Sequence, residues 1–143
     1  MRRAGWLSLG LLAAFVVCEV AEAAEIAFKA DLSGTSQVPP VTTAGKGTAT
    51  VTLDTTTKTL TWTVDHSGLS GPATGAHIHG PADPGANAGV LVPFTGDLAS
   101  PIKGSAVLTD AQIAQLEAGK WYVNIHTAAN KGGEIRGQLV RAQ

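Results

Sequence analysis

Cysteine is nearly absent from this 143-residue chain, with Cys18 the only one. A lone cysteine excludes an internal disulfide and a multi-thiolate metal centre. Charge is also scarce: Asp, Glu, Lys and Arg make up 15% of the residues, the formal net charge is −1, and no run of like charge occurs. Nucleic acid and anionic membrane surfaces are thereby disfavoured as partners, because each needs a concentrated basic patch. No nucleophile-elbow pattern surrounds Ser67, Ser70, Ser100 or Ser105, and no Gly-rich phosphate loop opens a helix. Nucleophilic and phosphoryl-transfer chemistry therefore have little support.

What is present begins with an address. Arg2 and Arg3 precede an apolar stretch from Leu7 to Val17, and Ala21-Glu22-Ala23 forms a small-residue cleavage pattern. That layout predicts a signal peptide over residues 1–23 and an exported, periplasmic or secreted domain over residues 24–143. The apolar stretch is short for a membrane span. Phe15-Val16-Val17 also lacks the small residue that a lipidated cysteine follows. Removal of Arg2, Arg3, Glu19 and Glu22 leaves the net charge at −1. Cys18 departs with the same segment, so the remaining domain must be held by its core alone, and about 120 residues suffice for that.

Period-two alternation runs through that domain. Ile26, Phe28, Ala30 and Leu32 alternate with polar neighbours, as do Ala49, Val51 and Leu53, and then Leu60, Trp62 and Val64. Successive strand residues point to opposite faces, so each set defines one apolar face. The intervening Asp54 to Lys58 predicts a hairpin turn, with threonines on its outer face. Further strands are expected around Ala76–His79, Val90–Phe94, Ser105–Leu108, Lys120–His126 and Glu134–Val140. Ser33 to Val41, containing Pro39-Pro40, and the Pro/Gly-rich segment 80–89 read as loops. Thr109 to Ala118 is the one helical candidate, with a capping residue ahead and Gly119 behind. Seven or eight short strands with one short helix predict an all-β sandwich or closed Greek-key barrel.

All four histidines, His66, His77, His79 and His126, fall in this domain. His77 and His79 flank Ile78, so one strand would project both imidazoles from one face. Parity places Trp121, Val123 and Ile125 in the core, which turns His126 outward with Tyr122 and Asn124. Imidazole is the commonest protein ligand for copper and zinc, and without thiolates a nitrogen-rich site is the natural one. His77, His79 and His126 are therefore the candidate metal ligands. A His-x-His pair also occurs on solvated strands by chance, and parity does not show that two strands meet. His66 follows Trp62 and Val64 in parity and reads as a strand end under the core. Glu134 and Arg136 share the outward face of the last strand. They read as a surface ion pair or, if Arg136 lies near His126, as an anion-steering arginine beside a metal.

Several longer strings carry a family resemblance. Leu32-Ser33-Gly34 with Gln37-Val38-Pro39-Pro40-Val41, Gly68-Leu69-Ser70-Gly71 leading to Ala76-His77-Ile78-His79-Gly80-Pro81-Ala82, and Ala118 to Thr127 followed by Gly132 to Leu139 resemble the CHRD domain, the module named after chordin. The family's usual Glu before Val-Pro-Pro is Gln37 here. The resemblance implies an immunoglobulin-like β-sandwich in an exported protein and supplies no settled activity. A looser similarity is to copper/zinc superoxide dismutases. It implies that His77 and His79 stand for paired copper ligands, His126 for a late copper ligand, and Arg136 for the arginine that guides the anion. The bridging histidine, the zinc cluster and the disulfide have no counterparts in this chain.

Two expectations follow. In the first, the domain binds one metal ion, copper ahead of the others because imidazole-rich sites favour Cu(II), with a superoxide-related redox role as an extension. In the second, it is a non-enzymatic, metal-free module. Its histidines would then hydrogen-bond the 80–89 loop to the late strand, and an extracytoplasmic protein or polysaccharide would occupy an outer sheet face. With Trp62 and Trp121 in the core and Trp6 in the signal, no exposed tryptophan platform remains for sugar.

Overall fold

Alternation becomes architecture in the computed structural model, which describes residues 24–143; the expected signal segment lies outside the described residues. Nine strands form: β1 (Glu25–Ser33), β2 (Lys46–Asp54), β3 (Thr59–Ser67), β4 (Ala73–His79), β5 (Val90–Pro93), β6 (Ile102–Val107), β7 (Tyr122–Thr127), β8 (Ile135–Gln138) and β9 (Val140–Arg141). Among the described residues a single 3-10 turn spans Gly34–Ser36, and one helix, α1, spans Asp110–Glu117. The fold is all-β, as the alternation predicts. The excess over seven or eight strands comes from the last expected strand, which divides into β8, paired to β7, and β9, paired to β1.

The strands form one antiparallel sheet in the order β5-β4-β7-β8-β1-β2-β3-β6, with β9 added on β1. Neighbours β4·β7 and β3·β6 are distant in sequence, so the chain crosses between the two halves of the sheet, as a Greek key requires. The sheet curls until its ends approach: Trp62 of β3 stacks on Phe94, just past β5, with ring centroids 4.6 Å apart. Gly104 on β6 permits this approach, since a Cβ there would lie 2.5 Å from the Trp62 ring.

Inside lie the residues the alternation selects. Phe28, Ala30 and Leu32 from β1, Val51 and Leu53 from β2, and Leu60, Trp62 and Val64 from β3 are buried. Ala76 and Ile78 meet them from β4, and Val123, Ile125 and neighbouring Trp121 from β7. Each of the larger aliphatic and phenyl side chains among them contributes about 1.5–3 kcal/mol by leaving water. The β1–β2–β3 meander is in register over nine residue pairs at each junction, which fixes the faces without slippage. Helix α1 begins at Thr109, whose side chain accepts from the Gln112 amide while Gln112 reaches back to the Thr109 amide. That reciprocal cap satisfies two otherwise free donors. Leu116 anchors the helix to the core, and Gly119, at φ +73°, turns the chain out of it.

The outer face of β4-β7-β8 departs from simple alternation. Tyr122, Asn124 and Arg136, expected to face solvent, are 2%, 5% and 2% exposed. The physical reason is cover. Tyr122 exchanges hydrogen bonds with the Ala88 backbone, Arg136 donates to Asn87 and the Ala86 carbonyl, and Gln37 donates to Asn124. The loops around Gln37 and over 86–88, which composition predicts only as strand breaks, close over this face and make a second, polar layer.

Candidate metal centre

Strand pairing brings the histidines together. On β4, His77 and His79 share a face and Ile78 is fully buried on the other. On β7, His126 pairs across from Gly75, while Asn124 pairs with His77 and Tyr122 with His79. His126 is thus the diagonal neighbour of His77, within reach of an aromatic side chain. Gly75 leaves the intervening space free: a Cβ there would lie 3.3 Å from His77 Cε1 and 3.8 Å from His126 Cδ2.

One ring nitrogen from each of His77, His79 and His126 lies within 4.8 Å of those of the other two. Imidazole nitrogens sit about 2.0–2.1 Å from a bound zinc, which puts them about 3.4 Å apart in a tetrahedral site, so the widest pair here would close by up to about 1.4 Å on binding. Backbone carbonyls orient the rings. His79 Nδ1 donates to Ala88 O at 3.0 Å, and His126 Nδ1 donates to Lys131 O at 2.8 Å. In the neutral forms, Nε2 of both rings therefore carries a lone pair. His126 Nε2 lies 3.2 Å from His77 Nδ1. His79 Nε2 is buried and has no hydrogen-bond partner among the described residues. A backbone carbonyl that holds one ring nitrogen leaves the other with its lone pair free, an arrangement able to ligate a metal.

Electrostatics favour the same neutral state. Burial lowers His77 below its ordinary 6.5, aided by His126 and His79. Burial also lowers His79, opposed by its bond to Ala88 and aided by His126 and Arg136. The cluster is less exposed than outward-facing strand residues should be: His79 is 8% exposed, and His77 and His126 are half-buried. The same loop cover accounts for this correction. His66 stands apart, with Nε2 donating to Leu98 O at 2.9 Å, at the far end of β3.

Arg136 reaches the neighbourhood by stacking. The His79 ring lies parallel to Tyr122, with centroids 5.0 Å apart, and the Arg136 guanidinium lies 3.4 Å over the Tyr122 ring. The order β4-β7-β8 puts the Tyr122 ring between the imidazoles and the guanidinium. Tyr122 is the residue that alternation alone missed, because its parity marked it as solvent-facing.

Glu134 and Arg136 form no ion pair, contrary to the surface-pair expectation. Glu134 is fully buried, and one oxygen accepts from Thr43 Oγ1 at 2.6 Å and from the Ser70 amide at 2.9 Å. The other accepts from Ser70 Oγ and Thr127 Oγ1, each at 2.6 Å. Burial alone would raise this carboxyl, but the hydroxyl bonds from Ser70, Thr127 and Thr43 outweigh it and hold it at about 2. Reaching these hydroxyls turns Glu134 away from Arg136.

An antiparallel, curled β-sheet domain with a three-histidine cluster on one covered face is the class that these features define. The CHRD domain family model matches residues 28–139, and the chain belongs to the CHRD domain family. CHRD domains occur in extracellular and periplasmic proteins. Among the described residues, no helix is long and apolar enough to cross a membrane. No curated protein and no solved structure matches the chain.

Proposed function

We propose that this CHRD domain is an exported metal-binding module that holds one ion, copper before other divalent metals, through His77, His79 and His126. The observation that carries the reading is the buried, partnerless Nε2 of His79 in a cluster where one ring nitrogen each of His77, His79 and His126 lies within 4.8 Å of the others. A buried polar atom without a partner is costly, and a cation would satisfy this one. Copper leads because imidazole donors without thiolates suit Cu(II), which stands highest among the divalent first-row metals.

Three protein donors leave coordination positions for a small ligand, and bound copper would supply one-electron redox chemistry there. A superoxide-related activity is the extension of that chemistry. Arg136 would contribute positive charge through space, screened by the Tyr122 ring. The protein's own share is to hold two imidazole tautomers through the Ala88 and Lys131 carbonyls and to keep His77 and His79 neutral.

The same carbonyl bonds favour a second reading, a metal-free structural or protein-binding module in which the imidazoles pin the loops to the sheet. Calorimetric titration of chelator-treated protein with Cu(II) separates the two. Metal binding predicts about one ion per chain, lost when His77 and His79 are both alanine. The structural module predicts no uptake and a marked loss of stability in the same variant.

A further inference from the structure

The sheet ends in two edges, β5 and β6, and they are built differently. Along an antiparallel strand, successive residues turn their N–H and C=O groups alternately toward the neighbour and away from it. The Phe94 amide donates to Ala76 O at 2.9 Å, so Val92 also faces β4, and Pro93 between them faces outward. Proline has no N–H, and the register of this strand pair shifts at Ile78 and His79. Both features blunt an edge against further pairing.

Strand β6 has neither feature. The Leu108 amide donates to Lys58 O at 2.9 Å, and the register carries that pattern back through Ala106, Gly104 and Ile102, which all face β3. Lys103, Ser105 and Val107 therefore turn their N–H and C=O groups off the edge of the sheet, where no backbone group among the described residues pairs with them. Their side chains are exposed as well, and Val107, at 74%, is the most exposed large apolar side chain among the described residues. Pro101 closes this window at one end, and α1, starting at Asp110, closes it at the other. Ser105 stands at its centre.

We infer that β6 pairs antiparallel with β6 of a second copy of this chain, about a two-fold axis at Ser105. A two-fold interface needs a patch that complements itself, and this one does. Ser105 meets the partner's Ser105, and Lys103 and Val107 meet the partner's Val107 and the partner's Lys103, with two hydrogen bonds exchanged at each pair. This register keeps the two lysines apart and lays each aliphatic lysine stem over an exposed valine. A shift of two residues brings in either Pro101, which has no N–H, or Thr109, whose amide is committed to Gln112. His77, His79 and His126 lie on β4 and β7, neither of them a neighbour of β6, so the pairing stands whether or not a metal is bound. A single strand pair buries little area, so the dimer is weak and reversible.

The test is sedimentation velocity of chelator-treated protein over a series of concentrations. The expected result is a reversible monomer–dimer equilibrium. Val107→Lys sets a lysine against the partner's Lys103 at both ends and should weaken the dimer about tenfold. Val107→Glu supplies a counter-charge at the same place and should tighten it. Ser105→Pro removes the central donor of each copy and should abolish the dimer, since proline is tolerated on an edge strand but cannot donate to a ladder. If that variant does not fold, the two Val107 substitutions decide, because the side chain they replace is exposed in the monomer. A protein that stays monomeric up to about 1 mM overturns the pairing. So does a dimer that Val107→Lys and Val107→Glu affect alike or not at all, or one that survives in folded Ser105→Pro.

Discussion

Two polar clusters draw on adjacent residues of β7, Thr127 for one and His126 for the other, and they are built on opposite rules. Around Glu134, each carboxylate oxygen has two donors, and the acid is drawn down to about 2. Around His77, His79 and His126, carbonyls fix one nitrogen each of His79 and His126, His77 Nδ1 faces His126 Nε2, and His79 Nε2 has no partner. A saturated cluster holds a fold together. Under the proposed function, a cluster that is well oriented yet unsaturated is completed by a bound ion. This difference separates a structural carboxylate from candidate ligands better than residue type does.

The comparison breaks most visibly at Glu134. Glu134→Ala strands three hydroxyls and an amide, and should cost about 3 kcal/mol in urea unfolding while leaving Cu(II) stoichiometry unchanged. Equal stability, or lost metal uptake in a folded variant, would erase the distinction.

Acid should divide the clusters next. Glu134 is lowered from 4.5 to about 2, so the stability it contributes is complete above pH 4.5 and is lost as pH falls toward 2. His77 and His79 are lowered from 6.5, so their contribution is complete above that value and is lost once pH falls below it. Urea midpoints measured against pH should therefore decline in two legs in the metal-free protein. Glu134→Ala should lack the lower leg, and a variant with His77 and His79 both alanine should lack the upper one.

Smaller effects sharpen the boundary. Tyr122→Phe removes the hydroxyl that bonds Ala88 and should cost about 1 kcal/mol in unfolding, with a modest weakening of Cu(II) in calorimetry. His66→Ala removes one bond to Leu98 O, should cost about 0.5 kcal/mol, and should leave metal uptake untouched.

The core was legible in the sequence because a strand that buries one face must alternate, and Phe28, Val51, Trp62, Ile78 and Ile125 do so. His77 and His79 were legible by the same parity. Their meeting with His126 was not, because it depends on β4 pairing with β7 and on Gly75 lying opposite His126. Parity also assigned Tyr122, Glu134 and Arg136 to solvent. It describes two faces of a sheet and cannot register that loops 34–41 and 80–89 fold over one of them. The burial of Glu134 is further hidden from the sequence because its partners, Thr43, Ser70 and Thr127, come from three separate segments.

Electron paramagnetic resonance of the protein loaded with one equivalent of Cu(II) tests the central claim most directly. The account predicts a single copper species coupled to three imidazole nitrogens, reduced to two in His126→Ala and abolished when His77 and His79 are both alanine. Unbound aqueous copper in the wild-type sample, or an unchanged spectrum in folded histidine variants, would contradict it.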